Sequence, residues 1–154
     1  MNLEVLTQTI ELARNKYYKL ILVLSLFAES KTRLLKAAAE ERGYPYINLS
    51  MELAGRMLDM PEPMRSFQVT SMFPSLVRSH KESLLLLDNI EILFLPELKV
   101  DPLRALQSVS RNKLILAGWA GEFSDSNLTY AKRGHPEFKL YPAISEEECT
   151  VLKV

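Results

Sequence analysis

Two aliphatic runs without polar alternation, Leu20-Ile-Leu-Val-Leu24 and Leu84-Leu-Leu-Leu87, constrain the fold of this chain more than any other feature. A strand with one wet face alternates apolar and polar residues, so an unbroken run belongs to a strand covered on both faces. Leu114-Ile-Leu-Ala-Gly-Trp119 reads as a further strand, and Pro45-Tyr-Ile-Asn-Leu49 as a shorter one. The intervening segments have helical spacing. Leu3, Leu6, Ile10, Ala13 and Tyr17 recur at intervals of three and four and predict an amphipathic helix over residues 2–18. From Lys31, the positions Leu34, Leu35 and Ala38 make one helical face, and Gly43 is suited to close it. Ser50 is placed to cap a helix from Met51 that turns Leu53, Met57 and Leu58 inward, and Pro61 and Pro63 end it. Residues 64–82 read as helical around Phe73, Leu76 and Val77. Asp101-Pro102 starts another helix, with Asp as cap and Pro in the first turn.

After Gly121 the sequence turns polar through Ser124–Asn127, Phe138–Tyr141 reads as an exposed or edge strand, and residues 143–154, with Glu146-Glu-Glu148, read as a flexible acidic tail. Strands alternating with helices over 154 residues predict a single α/β domain of three layers, with a mainly parallel sheet and helices on both faces.

Nineteen basic and nineteen acidic side chains cancel, which removes any whole-domain positive field for binding nucleic acid, so direct DNA contact would have to come from a local patch such as Arg78-Ser-His-Lys81. The longest apolar run, Leu20–Ala28, is interrupted by Ser25 and falls far short of the roughly 20 residues needed to span a bilayer. No basic segment followed by an apolar one opens the chain, and the single cysteine, Cys149, excludes an internal disulfide and a cysteine cluster. Together these predict a cytoplasmic protein with no membrane partner.

The chemistry-bearing stretch follows the first buried run. Ser25-Leu26-Phe27-Ala28-Glu29-Ser30-Lys31-Thr32 keeps the spacing of the phosphate loop G-x-x-x-x-G-K-[ST] and its Lys-Thr pair, with serine at both glycine positions. In such a loop the backbone N–H groups wrap phosphate, the lysine meets the β and γ phosphates, and the hydroxyl ligates Mg²⁺. Glycine matters there because it reaches φ > 0 freely and leaves room for the phosphate, whereas an L-residue held at φ > 0 costs roughly 1–2 kcal/mol. The two serines therefore predict a strained or reshaped loop with weakened nucleotide binding. Glu29 adds a negative charge near any phosphate.

Asp88 ends the second buried run, where an α/β sheet places ligands and where a Walker B aspartate orients Mg²⁺. Alone it reads equally as an Asx turn; paired with Lys31-Thr32 it reads as a metal-orienting residue. Asn89 follows it and can orient a water but not take its proton, so Glu91 is the candidate base, or else the first-turn acid of the next helix. Arg111 is a candidate transition-state arginine presented across a subunit interface, or a solvated residue near a helix end.

With these pieces placed, the sequence resembles the BrxF family, small P-loop-containing proteins of type III BREX anti-phage systems. The resemblance is carried by Tyr44-Pro-Tyr-Ile-Asn-Leu49, Leu85-Leu-Leu-Asp-Asn-Ile-Glu91, Leu103–Asn112 with its Ser110-Arg-Asn, and Leu128-Thr-Tyr-Ala followed by Gly134-His-Pro-Glu-Phe138. It implies a P-loop NTPase-type domain related to AAA+ and other additional-strand ATPases, without their helical lid. Its cofactors would be Mg²⁺ with ATP or ADP, and its partners other BREX components such as a larger ATPase, or further copies of itself. Family members carry a glycine-rich loop before Lys-Thr, and this chain departs from them there. A weak or absent ATPase activity follows, as does the alternative of an interaction scaffold that keeps the fold without the nucleotide.

Overall fold

A computed structural model of the chain describes residues 3–154; residue 2, the expected start of the first helix, lies outside the described residues. The elements run α1 (Leu3–Ala13), β1 (Leu20–Leu24), α2 (Ala28–Arg42), β2 (Tyr46–Asn48), α3 (Leu49–Met57), α4 (Glu62–Ser79), β3 (Leu84–Asp88), a pair of 3-10 turns (Ile90–Phe94 and Pro96–Leu98), α5 (Pro102–Val109), β4 (Leu114–Trp119), β5 (Gly121–Ser124), β6 (Asn127–Tyr130), β7 (Lys139–Tyr141) and β8 (Thr150–Lys153).

Five strands form a parallel sheet in the order β2-β3-β4-β1-β8. Every residue of β1, β3 and β4 is buried, as unbroken apolar runs require. Alternate residues of each strand feed opposite layers. Ile21, Val23, Leu86 and Leu116 pack with Leu6 and Ile10 of α1 and Leu34 and Leu35 of α2. Leu20, Leu22, Leu85 and Ile115 pack on the other side with Leu53 of α3, Phe73 of α4 and Leu106 of α5. The α/β architecture, with a mainly parallel sheet between helical layers, is the one expected.

Four local expectations change besides that for Leu58, which follows the end of α3 at Met57 and is exposed, not turned inward. The first helix stops at Ala13, not residue 18: β1 has to enter the sheet in register with β4, with Lys19 N–H bonded to the Ser110 carbonyl at 2.8 Å, so the chain leaves the helix early. Tyr17 is then exposed, its ring under the Arg111 guanidinium. The cap of α3 is Asn48, whose Oδ1 accepts from Met51 N–H at 3.1 Å. Ser50 instead donates to the Asn89 carbonyl and accepts from Ile92 N–H, tying α3 to the segment after β3. The polar stretch after Gly121 is a hairpin, β5 to β6, turned by Asp125 and Ser126, both in the left-handed region that two-residue hairpin turns demand. The fourth change is at the C-terminal stretch. Residues 143–154 are not a loose tail, because Thr150–Lys153 pairs with β1 as the sheet's edge and Ile144, Cys149 and Leu152 are buried.

Candidate functional site

The C-terminal ends of β1, β3 and β4 meet beside the start of α2. Lys31 and Thr32 lie in the first turns of α2 and project toward Asp88 at the end of β3, so the sequence-separated pair is brought together. Thr32 Oγ donates to Asp88 Oδ2 at 2.6 Å, and the Tyr46 hydroxyl at the start of β2 donates to the same oxygen at 2.6 Å. The other oxygen, Oδ1, accepts from the Asn89 backbone N–H at 3.0 Å. Asp88 is thus buried with both oxygens accepting, the condition under which a carboxylate tolerates removal from water. Burial pushes the Tyr46 phenol pKa up, and the hydrogen bond to Asp88 and that carboxylate's charge push it further. Asn89 holds φ of 52°, in the left-handed region that asparagine tolerates better than most residues.

Gly118 of β4 makes room for this arrangement. A Cβ there would meet Asp88 Oδ1 at 3.0 Å and the Lys31 stem at 3.6 Å, so a side chain would displace the carboxylate. Tyr46 and Gly118 are the neighbours of Asp88 that sequence reasoning missed. Each sits inside an ordinary strand pattern, and only the alignment of strands across the sheet gives it a role.

Lys31 is only 2% exposed. Its ammonium points back under the loop, 3.4 Å from the Ser25 carbonyl. Burial lowers its pKa from 10.5, opposed first by the charge of Glu91 and then by that of Asp88. Glu91, in the 3-10 turn after β3, therefore acts on the site through its charge, and it also raises the pKa of the neighbouring Tyr130 phenol, which burial has already pushed up. Below the site, Phe94, Trp119 and Tyr130 form a tight aromatic cluster, and Trp119 donates to the Thr129 carbonyl at 2.8 Å.

The loop between β1 and α2 is reshaped, not strained. None of residues 25–32 has positive φ, so neither Ser25 nor Ser30 carries the left-handed penalty expected of a glycine replacement. The chain achieves this by extending α2 backward: the helix begins at Ala28, not Lys31, and Ser30 lies within it. Ser25 closes the remaining short turn, its Oγ accepting from Phe27 N–H at 2.9 Å. Leu26 and Phe27 form the tip, with Phe27 exposed; Glu29, also exposed, pairs with Arg33 at 3.0 Å, directed along the helix surface. The first-turn backbone is thus fixed in helix geometry, with the Ser30 N–H donating to the Phe27 carbonyl at 3.2 Å.

Fit to the groups such a site would take divides in two. Thr32 and Asp88 offer a hydroxyl and one carboxylate, the donor set of a Mg²⁺ that takes its remaining ligands from water and phosphate. Among the described residues no group of three or more metal-binding side chains gathers, so a cation would be held together with a phosphate and not by the protein alone. The phosphate cradle does not fit as it stands, because the segment is helical from Ala28 with no residue at positive φ, and the Lys31 ammonium is turned to the Ser25 carbonyl. Arg111 lies at the other end of the sheet, before β4, so it does not reach Asp88 within one chain. Comparison of the chain with protein-family models, curated proteins and solved structures gives no match.

Proposed function

We propose that this chain is a degenerate P-loop NTPase-type subunit whose phosphate loop is closed by an extra helical turn, acting in assembly or regulation within a BREX-type anti-phage system. The observation that carries this reading is the convergence of Lys31, Thr32 and Asp88 at the ends of β1 and β3, with β4 inserted between those strands. That inserted strand is the feature after which additional-strand ATPases are named. The BrxF-like blocks support the defence-system setting, with a larger ATPase or further copies of the chain as partners.

In this reading Thr32 and Asp88 hold Mg²⁺ when it arrives with ATP or ADP, and Lys31 supplies the positive charge for the β and γ phosphates. The chain's own residues resist that state in two ways. The Thr32–Asp88 hydrogen bond has to open, and Lys31 has to leave the Ser25 carbonyl. Hydrolysis is weak or absent, since Asn89 stands after Asp88 and Glu91 is the nearest carboxylate able to take a proton.

Isothermal titration with Mg²⁺-ATP and Mg²⁺-ADP tests this on the wild type, on Lys31→Ala and on Ser25→Gly/Ser30→Gly. Glycine at position 30 weakens the extra turn by roughly 0.5–1 kcal/mol, and glycine at 25 frees the loop to open. The repaired protein is expected to bind at least about tenfold more tightly than wild type, and Lys31→Ala in that background to abolish the gain. A folded, repaired protein that binds neither nucleotide would overturn the assignment. The burial of Lys31 favours one second reading, a scaffold that keeps the fold without nucleotide. Under it, Lys31→Ala leaves phage defence intact in cells.

A further inference from the structure

Three hollows on the face made by α4 and α5 share walls and form one groove. The middle hollow, about 270 Å³, has Val69, Phe73 and Leu93 as its floor. Pro74 and Ser108 connect it to a hollow of about 150 Å³ that ends at Arg78 and Lys113. Lys99 and Asp101 connect it on the other side to one of about 410 Å³ that reaches Phe138 and Lys139. None of Lys31, Thr32, Asp88 or Glu91 lines this groove.

The rim is basic on a chain whose charges cancel as a whole. Arg78, Lys99, Arg104, Lys113 and Lys139 line it, against Asp101 and Glu137. The Asp101 carboxylate is already in use, accepting from the Tyr141 hydroxyl at 3.1 Å and from Arg104 N–H. Arg78, Lys99 and Lys139 make no side-chain hydrogen bond or ion pair with another described residue. The wall also offers a backbone acceptor. Pro74 lies inside α4 and has no N–H, so the carbonyl of Thr70, one turn earlier, lacks its helical donor, and both residues line the middle hollow.

An apolar floor, unpaired cations along the rim and a carbonyl without its donor at residue 74 together specify an occupant: a chain with apolar and acidic side chains and its own backbone donors. We infer that this groove docks a segment of a partner protein in which apolar and acidic residues alternate. Single-stranded nucleic acid suits it less. No ring stands out from the groove to stack a base: Phe73 lies in its floor, and Phe138 is covered by the Arg133 guanidinium at 5.6 Å.

Fluorescence anisotropy with a short labelled peptide alternating leucine and glutamate tests the inference on the full chain. The comparison probes are the same peptide with lysine for glutamate and a labelled oligo-dT. The acidic peptide is expected to bind saturably and to weaken as salt rises, while the basic peptide does not bind. Lys99→Glu with Arg104→Glu should weaken binding about tenfold or more, and Pro74→Ala, which returns a helical donor to Thr70, about threefold. Ser108→Trp, at an exposed position, blocks the middle hollow and serves if the charge reversals do not fold. Absence of saturable binding, equal binding of the basic peptide, tighter binding of oligo-dT, or indifference of folded variants to all these changes would each overturn the inference. Nucleotide titration is independent of the outcome, since the groove and the Lys31 site share no residue.

Discussion

Lys31 is the residue at which stability and the proposed chemistry oppose each other. An ammonium held almost out of water against one long carbonyl contact is poorly solvated, and Glu91 and Asp88 compensate only in part. Replacing it by methionine keeps the stem and removes the charge, so Lys31→Met is expected to stabilise the fold by about 1–2 kcal/mol while abolishing nucleotide binding in the repaired protein. The sign of its pH dependence follows from the same burial. An unfolded chain holds this proton up to about 10.5, whereas the folded one releases it at lower pH. Across that window unfolding takes up a proton, so the burial penalty shrinks and stability rises with pH. Urea midpoints of wild type and Lys31→Met should therefore converge as pH is raised toward that value. A constant gap would show that Lys31 titrates normally. The difference between the two proteins also removes the shared contributions of the buried tyrosines. At Gly121 the constraint is steric. A Cβ there would lie 1.8 Å from the Thr129 carbonyl across the hairpin. Gly121→Ala should therefore cost about 3 kcal/mol or more and lower the melting temperature, read by circular dichroism. A melting curve matching wild type would refute the close approach.

At the scale of elements, the edge strand β8 is the least obvious and among the most consequential. It supplies the second neighbour of β1, with Ile21 through Leu24 paired to Thr150 through Lys153. Without it, β1 becomes an unpaired apolar edge, which is an invitation to aggregate. Deleting residues 149–154 also removes buried Leu152 and Cys149, and burial of an aliphatic side chain is worth about 1.5–3 kcal/mol. The truncated chain should lose several kcal/mol and bind a dye for exposed apolar surface. A flexible tail would instead be removable with no change in melting temperature. The helix α2 shows the reverse relation between element and motif: its added turn relieves the two serines of strain and closes the loop by the same movement.

For the whole molecule, the ends of the parallel strands gather the candidate site, while the groove of the α4–α5 face lies across the sheet from the α1–α2 layer. If the first site binds nucleotide once its loop is repaired, ligand binding must stabilise the entire domain. At a hundredfold excess over Kd, Mg²⁺-ADP is expected to add about 2.7 kcal/mol to the Ser25→Gly/Ser30→Gly protein, seen as a shifted thermal transition. Wild type should shift less, and Lys31→Met not at all. Equal shifts in all three would mean the ligand binds elsewhere.

The unbroken runs at 20–24 and 84–87 were enough to dictate strands buried on both faces, because no solvated strand can carry them, and their alternation with helical segments pointed to a parallel sheet. The Lys-Thr pair and Asp88 were legible as candidate site residues, since their types and places at strand ends restrict the chemistry they can do. Residues whose roles depend on alignment across strands were not legible: Tyr46 and Gly118 reach Asp88 only when β2, β3 and β4 lie side by side. Nor was β8, whose four residues of mixed character become a strand only against the free edge of β1. The conformation of the loop was likewise decided in three dimensions. Sequence spacing shows which residues stand at the glycine positions, but whether they strain, open or coil depends on what the adjoining helix can absorb, and here it absorbs them into its first turn.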